Sequence, residues 1–322
     1  APNRSAVSVQ PKGGRPSLGA KSYRQFPPHV AQSKSSEAST AWKAVMHQYS
    51  RWLTALAMCL SSMFAAATPV AAKDYVDLEL VLAVDVSRSM DQEEQRLQRE
   101  GYVSAFRDAQ VHKAIQSGPN GRIAVAYVEW AGHSVQSIVI PWRIIGSKEN
   151  ALAFADELQS KPVSRDRRTS ISAALRKSAA LFEASPVRGL RRVIDVSGDG
   201  ANNSGDPVAI VRDQVVASGI VVNGLAIVMA PGVGTYSYFD IPDLDRYFKD
   251  CVIGGPGSFV LSIHSKEEFA TAIRQKLLLE IAGIAPMELP KLHRAQFQPT
   301  EKYDCLVGEK RLQQYLDERH DW

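Results

Sequence analysis

The stretch Leu78-Glu-Leu-Val-Leu-Ala-Val-Asp-Val-Ser-Arg-Ser89 decides the fold. Its first seven residues are a nearly continuous apolar run, and Asp85 closes it. A run of this length ending in a carboxylate fits a central strand buried on both faces rather than a strand with one wet side. Immediately after it, Asp85, Ser87 and Ser89 place three oxygen-bearing side chains at alternate positions of one loop. Further on, Leu97, Val103, Phe106, Val111 and Ile115 recur among charges across 92–116 at spacings that predict an amphipathic helix.

Outward from this unit, strands and helices alternate. Two strands, 122–130 and 134–142, are separated only by Ala131-Gly-His133, which is room for a hairpin and too little for a helical crossover. Helical patterns follow at 147–159 and 170–183, then a strand at 192–197, a helix at 206–218, a strand at 220–228, a polar loop, a strand at 259–263 and a helix at 266–281. The fold class expected is α/β, a Rossmann-like three-layer sandwich. Its six-stranded sheet is mainly parallel, with one antiparallel edge strand and helices on both faces, over residues 77–284. In such sheets ligands bind beyond the carboxyl ends of the strands, where Asp85 falls. Residues 285–322 contain Pro286, Pro290 and Pro299 and then a charged stretch, and read as a C-terminal tail outside the core.

The N-terminal part has another character. Residues 1–45 are rich in Ser, Pro, Gly, Lys and Arg without apolar periodicity, which predicts disorder or an upstream extension that is not translated. From Met46, a basic residue, the apolar run 52–64 and the small-residue stretch 65–72 follow in the order of a secretory signal peptide, with a cut expected after Ala72. The expected location is therefore periplasmic or secreted, with no stable membrane span after cleavage. Residues 1–72 hold eight Lys or Arg and one Glu, leaving 30 basic against 33 acidic residues downstream. The folded part is thus slightly acidic, which argues against a nucleic-acid partner. Cys251 and Cys305 are the only cysteines beyond the cut, and the sequence leaves open whether they pair or stay as two buried thiols.

A hard divalent cation wants an all-oxygen donor set of the kind Asp85, Ser87 and Ser89 provide, and Mg²⁺ keeps waters and an open position for an incoming carboxylate. Taken alone, these residues also suit a helix N-cap ahead of Glu93 and Glu94. The Asp-x-Ser-x-Ser pattern at the end of a buried first strand resembles the metal-ion-dependent adhesion site of von Willebrand factor A domains. That resemblance implies two further contributions. Thr169, in Arg167-Arg-Thr-Ser-Ile-Ser172, resembles the family's Thr before a helix, and Asp199, in Val196-Ser-Gly-Asp-Gly200, resembles the Asp after its fourth strand. The family commonly reads Thr-Asp-Gly there, so Gly198 is an additional residue and Asp195 inside the strand is a second candidate acid. The Ser-Gly-Asp-Gly form, with Tyr127-Val-Glu-Trp130, is similar to an uncharacterised bacterial branch of secreted A domains.

The resemblance implies a non-enzymatic protein-binding module that captures an Asp or Glu of a partner through Mg²⁺ or Mn²⁺ held by Asp85, Ser87, Ser89, Thr169 and Asp199. Two other readings stay open. One is a metal-assisted hydrolase with Asp195 or Asp199 as general base; the other is a structural envelope protein with a vestigial site. Glu129 and Trp130 end a strand and are read as solvated or ligand-facing. His133 and His264 lack a second His or Cys at zinc-like spacing. Arg165, Arg167 and Arg168 form a cationic cluster beside Thr169 that either steers an acidic partner or is simply solvated.

Overall fold

The computed structural model describes residue 46 and residues 74–229, 240–284 and 302–320. Apart from residue 46, the disordered extension and signal peptide expected over 1–72 lie outside the described residues, as do residues 285–301 of the tail.

Six strands form one sheet: β1 (Asp74–Asp85), β2 (Ile123–Trp130), β3 (Gln136–Ile145), β4 (Val187–Gly198), β5 (Val221–Ile227) and β6 (Val260–Ile263). Their spatial order is β3-β2-β1-β4-β5-β6. Only β2 and β3 pair antiparallel, through the hairpin at 131–135; all other pairs are parallel. This is the α/β sandwich expected, with β3 as its antiparallel edge. Pro141 sits on that edge strand, where a missing N–H costs least.

The apolar run of β1 is buried on both sides, because alternate residues face different helical layers. Leu78, Leu80, Leu82 and Val84 pack with side chains of α1 (Gln92–Arg107), α2 (Ala109–Gln116), α3 (Lys148–Ser160) and α7 (Phe269–Ala282). Val81 and Ala83 face α4 (Ile171–Glu183), α5 (Val208–Ala217) and the short α6 (Leu244–Tyr247), which runs on into a π-helical turn at Phe248–Val252. The single helix expected over 92–116 is two. Asp108 has extended backbone angles, and its carboxylate accepts the amide of Gln110 at 2.7 Å, so it ends α1 and caps α2.

The C-terminal stretch is more engaged than a loose tail. Cys305 forms a disulfide with the fully buried Cys251. Tyr303, Cys305 and Val307 pack on the layer that contains Tyr247, and α8 (Val307–His320) follows. Glu309 at its start accepts a hydrogen bond from Asn202, in the loop after β4, at 2.7 Å.

One polar cluster lies inside the core. Lys276 of α7 points at the sheet and is paired with Asp195 of β4 at 2.7 Å and with Glu280 one turn further along its own helix. Tyr102 donates to Asp195 at 3.5 Å and Asn223 donates to Glu280 at 3.3 Å. Burial, and then the charge of Asp195, push the Glu280 carboxyl up to about 7. A carboxyl with a raised folded-state pKa holds a proton that the unfolded chain releases near its ordinary value. Its contribution is therefore present at acid pH and is lost as the pH rises from about 4.5 through about 7. Glu280→Gln keeps the Lys276–Asp195 pair and removes the surplus negative charge. The variant is expected to be about 1–3 kcal/mol more stable than the parent at pH 8 and little changed at pH 4.5, read from urea midpoints at both pH values.

Candidate metal centre

The loops that meet at the carboxyl ends of β1 and β4 form the site, at the point where the sheet order turns from β2 on one side of β1 to β4 on the other. Asp85 is the last residue of β1 and fully buried. Its Oδ1 accepts the amide of Ser87 at 2.7 Å, which curls the loop back over the strand end. Helix α1 fixes that curl, since Gln95 donates to the Ser87 carbonyl at 2.9 Å and Gln98 to the Asp85 carbonyl at 3.2 Å. Ser87 Oγ then lies 2.7 Å from Ser89 Oγ, and Ser89 Oγ donates to Asp199 Oδ1 at 2.7 Å. Asp85 is thus tied through the Ser87 amide to a chain of oxygens that runs from Ser87 through Ser89 to Asp199.

Thr169 reaches the same corner by a different route. Its amide donates to Asn203 Oδ1 at 3.0 Å, and Asn203 returns its own amide to the Thr169 carbonyl at 2.8 Å. This reciprocal pair locks the loop before α4 to the loop after β4. Gly200 is seated against Thr169, with a Cβ built there 3.8 Å from Thr169 Oγ1. A backbone bridge between Ser87 and Asp166 joins the first loop to the second.

Helix capping does not account for these side chains. The N-cap of α1 is Asp91, in a reciprocal capping box with Glu94: the Glu94 amide donates to Asp91 at 2.7 Å and the Asp91 amide to Glu94 at 2.8 Å. The N-cap of α4 is Ser170, which accepts the amide of Ala173 at 3.3 Å. The side chains of Asp85, Ser87, Ser89 and Thr169 therefore cap neither helix.

The donor set fits a hard cation. Asp85 Oδ2 is buried without a hydrogen-bond partner among the described residues, an arrangement that costs stability unless something positive meets it. The additional residue noted in the sequence, Gly198, explains how room is kept there: a Cβ on it would stand 3.0 Å from Asp85 Oδ2 and 3.4 Å from the Trp130 ring. Burial pushes the Asp85 carboxyl up to about 7, against the pull of the Ser87 hydrogen bonds. Asp199 is held well above the ordinary carboxylate range, by burial first and by the charge of Asp85 second. Two neighbouring carboxylates that resist joint ionisation are what a divalent ion would neutralise. Among the described residues no three His, Cys, Asp or Glu side chains gather as a metal cluster; this corner offers two carboxylates and three hydroxyls instead.

The remaining candidates are placed elsewhere. Asp195 is three residues before the β4 exit and belongs to the Lys276 cluster. Glu129 is not solvated: it is 1% exposed and ion-paired with Arg99. Arg99 also donates to the carbonyls of Leu158 and Lys161 at 2.9 and 3.0 Å, while Glu129 accepts the Ser164 amide at 3.1 Å. This pair therefore anchors the start of the loop that carries Thr169. Sequence reasoning missed that role, since nothing local links residues 30 positions apart. His133 lies 3.1 Å from Ser204 Oγ at the rim, and the His264 amide donates to Glu268 at 2.7 Å.

A family model described as "Protein of unknown function (DUF1194)" matches residues 75–285. No curated protein matches the sequence. Among solved structures the chain is similar to proximal thread matrix protein 1 from the mussel byssus, at 17% identity and a TM-score of 0.47, covering 66% of this chain and 49% of that one. It is also similar to that protein with a zinc-occupied MIDAS motif, at 17% identity and a TM-score of 0.45, covering 66% and 49%. A third similarity is to a von Willebrand factor type A protein from Catenulispora acidiphila, at 13% identity and a TM-score of 0.45, covering 64% and 43%. The chain thus spans about half the length of the structures it resembles first.

Proposed function

Because the chain belongs to the family described as "Protein of unknown function (DUF1194)" and folds as a von Willebrand A-like domain, we propose a metal-dependent protein-binding module. Asp85, Ser87, Ser89, Thr169 and Asp199 hold a divalent cation, Mg²⁺ or Mn²⁺, at the carboxyl ends of β1 and β4. When bound, the ion supplies an open coordination position for a carboxylate of a protein partner. The observation that carries this reading is the buried Asp85 Oδ2, without a hydrogen-bond partner among the described residues, beside the space that Gly198 leaves open. Two hydroxyls of the first loop in place of carboxylates leave the ion partly uncompensated, which favours an anionic partner group.

The module works outside the cytoplasm, in the periplasm or as a secreted protein, with residues 46–72 as its signal peptide. Among the described residues no helix is long and apolar enough to cross a membrane. No catalytic step is assigned. The hydrolase alternative finds no support in Asp195, whose carboxylate is held by Lys276 inside the core. The expected test result is capture of a partner from envelope extract by immobilised protein in Mg²⁺, lost on chelation and lost with Asp85→Ala bait. Capture that survives both treatments contradicts the reading.

A further inference from the structure

Three arginines of the loops that form the site stand without partners among the described residues. Arg88 lies between Ser87 and Ser89, and Arg167 and Arg168 directly precede Thr169; all three are exposed. None has a carboxylate, carbonyl or ring partner among the described residues. Apart from Arg188, on the lower half of β4, every other described arginine has one, including Arg165, which donates to the Met90 carbonyl at 3.2 Å. Two of the acids nearby are neutralised by a lysine. Lys266 takes up Asp91 and Glu93 at 3.0 and 2.6 Å, and Glu94 is in the capping box. Asp166, also exposed, accepts the Arg167 amide.

The two loop arginines are held in place. Arg168 has φ 73°, the only positive φ of a non-glycine residue among those described. A left-handed arginine is unfavourable and persists only where its neighbours over-determine it. Here they do: Thr169 is tied at both backbone groups to Asn203, and the Ser170 amide donates to the Ala131 carbonyl at 2.7 Å. Beneath them, a Cβ on Gly132 would come within 2.9 Å of the Arg167 carbonyl and 3.2 Å of Arg168 Cβ, so this stretch rests on the β2–β3 turn. The result is a fixed backbone that presents exposed cationic side chains, on a domain whose sequence beyond residue 72 carries more acidic than basic residues.

The geometry points to a partner that is an acidic peptide segment, a run of Asp and Glu, in which one carboxylate enters the metal position and its neighbours meet Arg88, Arg167 and Arg168. This rests on the metal-dependent reading above and adds the partner's composition to it. A guanidinium engages a carboxylate through two parallel hydrogen bonds. Rim charges of this kind chiefly raise association rate and selectivity, and their effect falls with salt.

The test uses fluorescence polarisation in Mn²⁺ with two labelled peptides of equal length: five consecutive acidic residues, or one Asp in a Gly-Ser background. The full chain is expected to bind the acidic run about tenfold more tightly at low salt. In the Arg88→Gln, Arg167→Gln, Arg168→Gln variant that preference should vanish, while its calorimetric Mn²⁺ affinity matches the parent. Equal, chelator-sensitive binding of both peptides by the parent overturns the inference and leaves metal-dependent capture standing. Binding of neither peptide by the parent, with Mn²⁺ ignored, overturns both. Tighter, arginine-dependent binding of heparin or polyphosphate than of the acidic run also overturns it, since the occupant is then a polyanion of another class.

Discussion

Lys276→Met is expected to lower the stability of the folded domain by about 3–5 kcal/mol, the largest loss anticipated for a substitution outside the site. Lys276, Asp195 and Glu280 are each about 1% exposed or less at the side chain. Removing the ammonium leaves two carboxyl groups facing each other in a desolvated space, and both are already held above their ordinary range by burial. Methionine fills the volume, so packing loss contributes little and the electrostatic cost dominates. Adding Glu280→Gln to Lys276→Met should recover part of the loss, because one of the two stranded carboxyls is then neutral. Urea midpoints at pH 7 check both statements; a loss under about 1 kcal/mol for Lys276→Met would mean the cluster is far better hydrated than its burial implies.

The second large effect is on thermal stability in the presence of a cation. An ion bound only by the folded state at a hundred times its dissociation constant adds about 2.7 kcal/mol, which for a domain of this size is a rise of roughly 5–10 °C in Tm. Asp85→Ala is expected to abolish the rise. The gain should also shrink in acid. With the Asp85 carboxyl pushed up to about 7, a proton competes for the same oxygens, so the rise at pH 5 should be smaller than at pH 7.5. A pH-independent shift, or one equal in Asp85→Ala, would place the ion somewhere other than this corner of the sheet.

Much of this was legible in the chain. The run 78–85 announces a strand buried on both faces because apolar residues occupy both parities, and Asp85, Ser87 and Ser89 stand out because three oxygens recur at alternate positions just after it. The short spacing at 131–133 leaves no choice but a hairpin. The break at Asp108 was hidden, since a capping Asp and a helix-surface Asp are the same letter until the backbone turns. Lys276 and Glu280 were hidden for a related reason. Four residues apart on a helix, they look like an ordinary solvated pair, and only the arrival of Asp195 from β4 on the inner face makes them a core cluster. Gly198 was visible as an extra residue without a reason; its reason is the space beside Asp85 Oδ2. The loop-to-loop lock between Thr169 and Asn203 joins residues 34 positions apart and leaves no local trace. Tyr303, Cys305 and Val307 sit between prolines and a charged helix, a composition that reads as loose, and their contacts depend on where Cys251 has been carried by the fold.

Titration calorimetry of the purified full chain with Mn²⁺ at pH 7.5 tests the central claim most directly. Saturable binding at one site per chain by the parent, absent in Asp85→Ala and strongly weakened in Ser89→Ala, is the predicted result. No measurable binding by the parent, or equal binding by parent and Asp85→Ala, would contradict the assignment of Asp85, Ser87, Ser89, Thr169 and Asp199 as a metal centre.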